Sequence, residues 1–388
     1  MRDELAILRA FVAAKCSSPR RFLSTDAPLC DAAEFNRNFE RYNILGVSLE
    51  EARRLAQSEL AGEPSPHPGI SFGLSTGTTG KPGVFMTSAA ERAQWAGTML
   101  ARFLSWRQLA GVDVALVLKH NNRLYTDSAK SRRVRLSYFN SQQPVEQWID
   151  SLCGLAPGVL IGPPSLLRAI AFTQRFERKP FRPQTVIAGA EPLFPQDRLL
   201  LEERYGVAPR IIYQAREGFL GFGCEHGRVH LNEDLMKFEL EPIRGHPERV
   251  VPIITDFTRT TQTYTRYRMD DVLITASAPC PCGSRFRAVS AVEGRLQDVF
   301  VRPDGRYVFP LELNAVMTRR LEPANQFIVE QLDMDSFTVA IEHPTNQSQL
   351  LQDLAEALGG QPRLEKIPYR SLMPGEKQRR FRRNCPDR

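Results

Sequence analysis

Long apolar runs are missing from this chain of 388 residues. Nothing in it has the ~20 consecutive apolar residues that a membrane-spanning helix needs. The opening stretch, "MRDELAILRAFVAAKCSSPRR", is charged from its second residue and has no apolar core of the kind a secretory signal carries. The expectation is a soluble, cytoplasmic protein without a membrane partner. Cysteine is sparse and odd in number, seven in all, which argues against a disulfide framework. There is no internal repeat, no G-x-x-x-x-G-K-[ST] phosphate signature, and no Ser-His-Asp or Cys-His arrangement for nucleophilic catalysis. Nor is there an RNP, a helix-turn-helix or an aromatic-interleaved basic motif, so a nucleic-acid partner is not expected.

What is present suffices for a large core: 42% of the residues are hydrophobic and 24% charged. The length favours two or more domains. A formal charge of +7 and a pI near 9.1 permit anionic partners without choosing among them.

Residues 1–60 read as helical, most clearly "SLEEARRLAQSEL" at 48–60, where Ser48 can cap and Leu49, Ala52, Leu55, Ala56 and Leu60 share a face. "VDVALVLK", "PGVLIG" and "QTVIAGA" are short apolar runs with helix-like segments nearby, which predicts an alternating α/β organisation. "PRIIYQ" and "VPIITDF" are further strands, and "FVRPDGRYVFP" a hairpin around Asp304 and Gly305. After Arg295 the pattern changes to a compact segment with its own strands and helices, "FTVAIEH" and "NQSQLLQDLAEALGG" among them. The expected fold is a large N-terminal α/β domain with several sheets, 1–294, joined by a hinge to a small, mobile C-terminal α+β domain, 295–388.

One stretch, "LSTGTTGKPGVF" at 74–85, cannot fill a helix: glycine costs about 1 kcal/mol there and proline about 3. It reads as an exposed, hydroxyl-lined loop between an apolar segment and a helix beginning at "VFMTSAAERAQW". Backbone N–H groups, hydroxyls and one lysine are what a polyphosphate requires.

"STGTTGKPG" resembles the phosphate loop of the adenylate-forming superfamily of acyl-CoA synthetases, peptide-synthetase adenylation domains and luciferases. Further segments resemble that superfamily in order: "AGAEPL" at 188–193, "YQAREGF" at 213–219, "RYRMDD" at 266–271, "EGRLQDVFV" at 293–301 and "PGEKQRRF" at 374–381. "TDFTRTTQ", "CPCG" and the short length look most like its phenylacetate–CoA ligase branch, near the deazaflavin-adenylylating synthetases and the aryl-acid–carrier-protein ligases. The resemblance implies ATP and Mg²⁺ as cofactors. Ser75, Thr76, Gly77, Thr78, Thr79, Gly80 and Lys81 would hold phosphates. Gly189, Ala190, Glu191 and Pro192 would line the adenine and acyl pocket, Tyr213 would stack on adenine, and Glu217 would bind Mg²⁺. Asp271 would grip the ribose, Arg295 would mark the hinge, and Lys377 would be the catalytic lysine with Arg380 trailing it.

The implied reaction is ATP-dependent adenylation of a small carboxylic acid, aromatic by resemblance, then transfer to the thiol of coenzyme A or an acyl carrier protein. Two alternatives stay open: AMP transfer to a hydroxylated cofactor, and a non-catalytic nucleotide-binding or nucleic-acid-binding protein. Two positions depart from the aromatic-Gly-x-Thr-Glu motif, with Gln214 for glycine and Arg216 for threonine, and Gln297 departs within the hinge. His120, after a strand, reads equally as a pocket contact or as an ordinary loop residue.

Cys280 and Cys282 form C-P-C-G, and Cys224 with His226 and His230 precede them. Three thiolates and one imidazole make a closed tetrahedral site for one structural Zn²⁺; the alternative is a buried, reduced cysteine cluster. His230 is preferred over His226 because "RVHLNED" reads as a strand able to pair with the edge carrying Cys224. The oligomeric state is not legible.

Overall fold

The structure, a computed structural model, describes residues 2–23, 25–75, 82–119, 133–343, 347–359, 363–374 and 376–384. Its strands are β1 (Ile70–Leu74), β2 (Val84–Ser88), β3 (Val112–Leu118), β4 (Val134–Asn140), β5 (Val159–Gly162), β6 (Thr185–Ala188), β7 (Arg210–Ala215), β8 (Gly218–Gly223), β9 (Val229–Leu231) and β10 (Met236–Ile243). They continue with β11 (His246–Asp256), β12 (Tyr267–Arg268), β13 (Asp271–Thr275), β14 (Ala288–Arg295), β15 (Phe300–Val301), β16 (Tyr307–Val308), β17 (Phe327–Asp333), β18 (Ser336–Ile341), β19 (Arg363–Pro368) and β20 (Phe381–Arg383).

Twelve of these strands make one sheet along the path β10-β11-β13-β14-β9-β8-β7-β6-β5-β3-β4, with β12 beside β11. From β4 to β7 the neighbours run parallel. From β7 onward they run antiparallel.

A parallel sheet is covered on both faces, so its strands read as continuous apolar runs. Successive side chains of β3 show this. Ala115 and Val117 join Leu160 and Val186 beneath the helices Ile149–Leu155, Pro164–Ala171 and Pro195–Tyr205, meeting Leu152, Leu167, Ile170 and Leu201. Val114 and Leu116 point the other way and pack, with Val159 and Ile187, on Phe11 and on Leu100 and Phe103 of helix Ala89–Phe103. The antiparallel half closes on Phe35, Phe39 and Leu55 through Leu220, Leu231, Ile254 and Leu273.

Two expectations change. Val84–Ser88 is a strand, not the start of a helix: it pairs with β1 in unbroken register from Ile70↔Ser88 to Leu74↔Val84. The helix begins at Ala89, where Ser88 and Glu91 form a reciprocal capping box. The Gly/Thr stretch therefore connects two paired strands. The first sixty residues are also less helical than expected, with α-helices at Arg2–Lys15, Ala32–Arg37 and Leu49–Leu60 and a 3₁₀ turn at Phe39–Tyr42. The described residues from Ser17 to Asp31 form no helix; Pro19 and Pro28 deny them the hydrogen-bond pattern. In Leu49–Leu60 the buried face is Ala52, Leu55 and Ala56, and Leu60 is exposed.

The smaller C-terminal domain carries the hairpin β15–β16, with Gly305 at φ 80° in its turn, and the sheet β19-β18-β17-β20. Helices Pro310–Thr318 and Gln347–Leu358 supply Leu313, Leu350 and Leu354 to a core with Phe300, Phe327, Phe337 and Phe381. Phe194, from the large domain, joins that core. Among the described residues no helix is long and apolar enough to cross a membrane.

Candidate active site

β7 is the strand at which the sheet turns from parallel to antiparallel, and a crevice opens beside such a point because the flanking loops diverge there. Here it is a cavity of about 1070 Å³. Gly162 at the end of β5, Gly189, Ala190 and Glu191 after β6, and Arg216 and Glu217 after β7 all line it. So do Ser75, Pro192, Tyr213, Gln214, Asp271, Arg295 and Lys377. Thr76, Gly77, Thr78, Thr79, Gly80, Lys81 and His120 lie outside the described residues. Ser75 and Gly83, which flank the Gly/Thr stretch, are tied together: Ser75 N–H donates to the Gly83 carbonyl, and Gly83 N–H to Ser75 Oγ, both at 2.8 Å.

Lys377 enters this crevice from the C-terminal domain, held by its neighbours. Gln378 N–H donates to Glu191 Oε1 at 2.7 Å, and Arg379 pairs with Asp298. Arg380 makes two bonds to Asp197, of 2.6 and 2.8 Å. Glu191 also accepts from Ser165 N–H at 3.1 Å and Ser165 O–H at 3.0 Å. Ala190, just before it, adopts φ 67°, a conformation that costs a non-glycine residue about 1 kcal/mol or more and is found where a site demands it. Burial drives the Lys377 ammonium down to about 8, against the attraction of Glu191 and with the repulsion of Arg295.

Tyr213 donates its hydroxyl to Asp271 Oδ2 at 2.8 Å. Burial and the neighbouring Asp270 carboxylate push Asp271 up to about 7, while Arg295 and the tyrosine hydroxyl act to lower it. Asp271 stands opposite Arg295 in the β13–β14 register. Arg216 Nε donates to Glu217 Oε1 at 2.6 Å and Nη2 to the Tyr267 hydroxyl at 2.7 Å. Trp95 Nε1 donates to Gln214 Oε1 at 3.2 Å. Trp95, Met99, Leu116, Leu118, Leu136 and Ile161 give the cavity an apolar wall.

Four of these contacts were not singled out from sequence. Asp298 closes the Gly-Arg-x-x-Asp segment 294–298, and that spacing was its signal. Ser165, Asp197 and Trp95 carry none, because each acts across a large sequence separation: 26 residues from Ser165 to Glu191, 183 from Asp197 to Arg380 and 119 from Trp95 to Gln214.

A second cluster lies apart from the cavity lining. Cys224, His230, Cys280 and Cys282 bring one ligand atom each to within 4.8 Å of one another. Cys224 and Cys280 Sγ are 3.5 Å apart, and Cys282 Sγ is 3.2 Å from His230 Nε2. His230 Nδ1 lies 2.9 Å from the Phe286 carbonyl, a contact that orients the ring with Nε2 toward the sulfurs. This donor set fits a tetrahedral zinc ion. His226 is instead half-exposed beside Glu225 at 3.8 Å.

No protein-family model and no curated protein sequence matches the chain. Solved structures do. The chain is similar to 2-hydroxyisobutyryl-CoA ligase in the postadenylation state with R3-HIB-AMP, at 16% identity over 97% of this chain and 84% of that chain, TM-score 0.65. Against the same ligase with 2-HIB-AMP and CoA in the thioesterification state, the values are 18%, 99%, 90% and 0.51. The anthranilate CoA ligase AuaEII in complex with anthranoyl-AMP matches at 12% identity over 81% of this chain and 67% of that chain, TM-score 0.57. What these enzymes share with this chain is the fold.

Proposed function

We propose that this protein is an ATP-dependent ligase that activates a small carboxylic acid as its acyl-adenylate. The observation that carries the reading is the seating of Lys377: a lysine from the C-terminal domain, held by three consecutive neighbours, in a crevice with Asp271. In the first step a carboxylate oxygen attacks the α-phosphorus of ATP and pyrophosphate leaves. The Lys377 ammonium neutralises charge gathering on the carboxylate and the α-phosphate oxygens, a positioning and electrostatic role suited to phosphoryl chemistry. Asp271, as carboxylate, accepts from the ribose hydroxyls, and Tyr213 orients it. In the second step a thiol attacks the acyl carbon and AMP leaves.

The apolar wall of Trp95, Met99 and Leu116 supports an acid with an aromatic or branched apolar body. The C-P-C-G segment and its cluster support the phenylacetate–CoA ligase-like branch. Coenzyme A is the favoured thiol by analogy with the ligases of this fold, with a carrier protein as the other acceptor. Residues 1–294 and 295–388 act as two bodies about the hinge at Arg295, as in other proteins that assemble a site by domain closure.

An ATP–pyrophosphate exchange screen across aryl and alkyl acids tests this reading. Exchange that depends on a free carboxylic acid supports it. Exchange that appears only with a hydroxylated cofactor replaces it with AMP transfer to a hydroxyl, and no exchange despite ATP binding replaces it with a nucleotide-binding role.

A further inference from the structure

The crevice carries a cation of its own. Arg216 occupies the position where the resembled motif has threonine, and its guanidinium is already bound on three sides. Nε meets Glu217 at 2.6 Å, Nη2 the Tyr267 hydroxyl at 2.7 Å, and Nη1 Asn36 Oδ1 at 3.4 Å. The group lies 5.7 Å from the Phe35 ring centre and 6.0 Å from that of Tyr267. Its stem rests on the end of the phosphate-loop segment: a Cβ added at Gly83 would meet Arg216 Cδ at 2.8 Å and Ser75 Oγ at 3.3 Å. Residue 83 is therefore held to glycine by the arginine. Little of either partner reaches water, 16% of the Arg216 side chain and 7% of that of Glu217.

This arrangement does not fit Mg²⁺ on Glu217. Mg²⁺ demands a near-octahedral oxygen shell and keeps several of its waters. Glu217 has one oxygen taken by a guanidinium and almost no solvent around it. A dication placed there would also face a fixed positive charge in a site of low dielectric, where like charges repel strongly. The charge that a metal would bring is supplied instead by the side chain. An arginine has five N–H donors in a planar fork matched to phosphate oxygens. Two of those on Arg216 have no partner among the described residues.

Resting on the ATP reading above, we infer that Arg216 is a phosphate-binding residue and that Glu217 is its counter-ion, not a metal ligand. ATP affinity is then carried by Arg216, and any Mg²⁺ that helps does so on the nucleotide, independently of Glu217.

The test is ATP binding by calorimetry, with excess Mg²⁺ and again in EDTA, for the wild type, Glu217→Gln and Arg216→Thr. The expected result is that Mg²⁺ changes ATP affinity by the same factor in the wild type and in Glu217→Gln, within about threefold. Arg216→Thr should lose roughly tenfold or more in EDTA, the worth of one hydrogen bond to a charged group. A Mg²⁺ effect that is present in the wild type and vanishes in Glu217→Gln makes Glu217 a metal ligand and overturns the inference. That comparison does not depend on Arg216→Thr folding. Failure of the wild type to bind ATP even with Mg²⁺ overturns the reading of the crevice itself, and the inference with it, whereas intact ATP binding without acid-dependent exchange leaves the inference standing.

Discussion

The guanidinium of Arg380 and the carboxylate of Asp197 form a two-bond ion pair almost wholly out of water, with exposures of 3% and 4%. It joins the strand end of the C-terminal domain to the first turn of helix Pro195–Tyr205 in the large domain. Breaking a buried pair by removing one partner leaves an uncompensated charge and costs about 3–5 kcal/mol, whereas replacing both with apolar groups is often neutral. Asp197→Ala is expected to lower unfolding stability by roughly that amount in urea titration, and Asp197→Leu with Arg380→Met to recover most of it. If the single variant is as stable as the wild type, the pair does not hold the domains together.

Adenylation and thiol transfer should separate at Lys377. Lys377→Ala is expected to lose roughly two orders of magnitude or more in ATP–pyrophosphate exchange, the size seen when one preorganised donor is deleted. Transfer of a supplied acyl-adenylate to the thiol should keep most of its rate, because the proposed mechanism uses the ammonium only in the first half-reaction. Single-turnover thioester formation measures the second half. Equal losses in both halves would remove the lysine's specific role.

The pH profile of kcat/KM for ATP reports free-enzyme groups. Lys377 loses its proton as pH rises through about 8, and Asp271 gains one as pH falls through about 7. The proposed reaction would need the ammonium and the carboxylate, so activity should fall on both sides of a narrow maximum between those values. Lys377→Arg stays charged throughout and should lose the alkaline limb while keeping the acid one. An alkaline limb unchanged in that variant would assign it to another group.

The sequence carries the crevice better than it carries the fold around it. Glu191, Tyr213, Asp271 and Lys377 were legible because each stands in a short segment with its own pattern, and the segments follow in order. Val84–Ser88 was not, because Val84, Phe85 and Met86 lie only two residues ahead of the helix and read as part of it, and only pairing with Ile70–Leu74 makes the segment a strand. Arg216 was legible as a departure from a motif, and Glu217 stands beside it in the chain, but the contacts that set its guanidinium against Asn36 and Tyr267 were not, since those residues lie far off in sequence.

Zinc should copurify at about one ion per chain, since the four donors would fill a tetrahedral shell. Metal analysis after purification without added metal checks this. Cys280→Ser or Cys282→Ser should lower both metal content and thermal stability, because the free thiols no longer tie their segments together. A metal-free preparation with full stability would leave only a reduced cysteine cluster.

Cys224 and Cys280 stand 56 residues apart, and that span contains β9, β10, β11, β12 and β13. An ion that stayed on both sulfurs in the denatured chain would cap a long loop and strip it of configurational freedom. The relation used for disulfides puts that at about 4 kcal/mol for a loop of this length. The metal would then act before any nucleotide arrives. β11 meets β10 through a tight hairpin, but the strand that bears Asp271 has to find β11 and β14 across longer loops, and such pairing is slower because closure entropy is lost before contacts repay it. With that loop already closed, the search is shortened. The cluster's largest effect would then be on how quickly the antiparallel half of the sheet assembles, read as refolding half-time with and without zinc, and not on turnover of the finished protein.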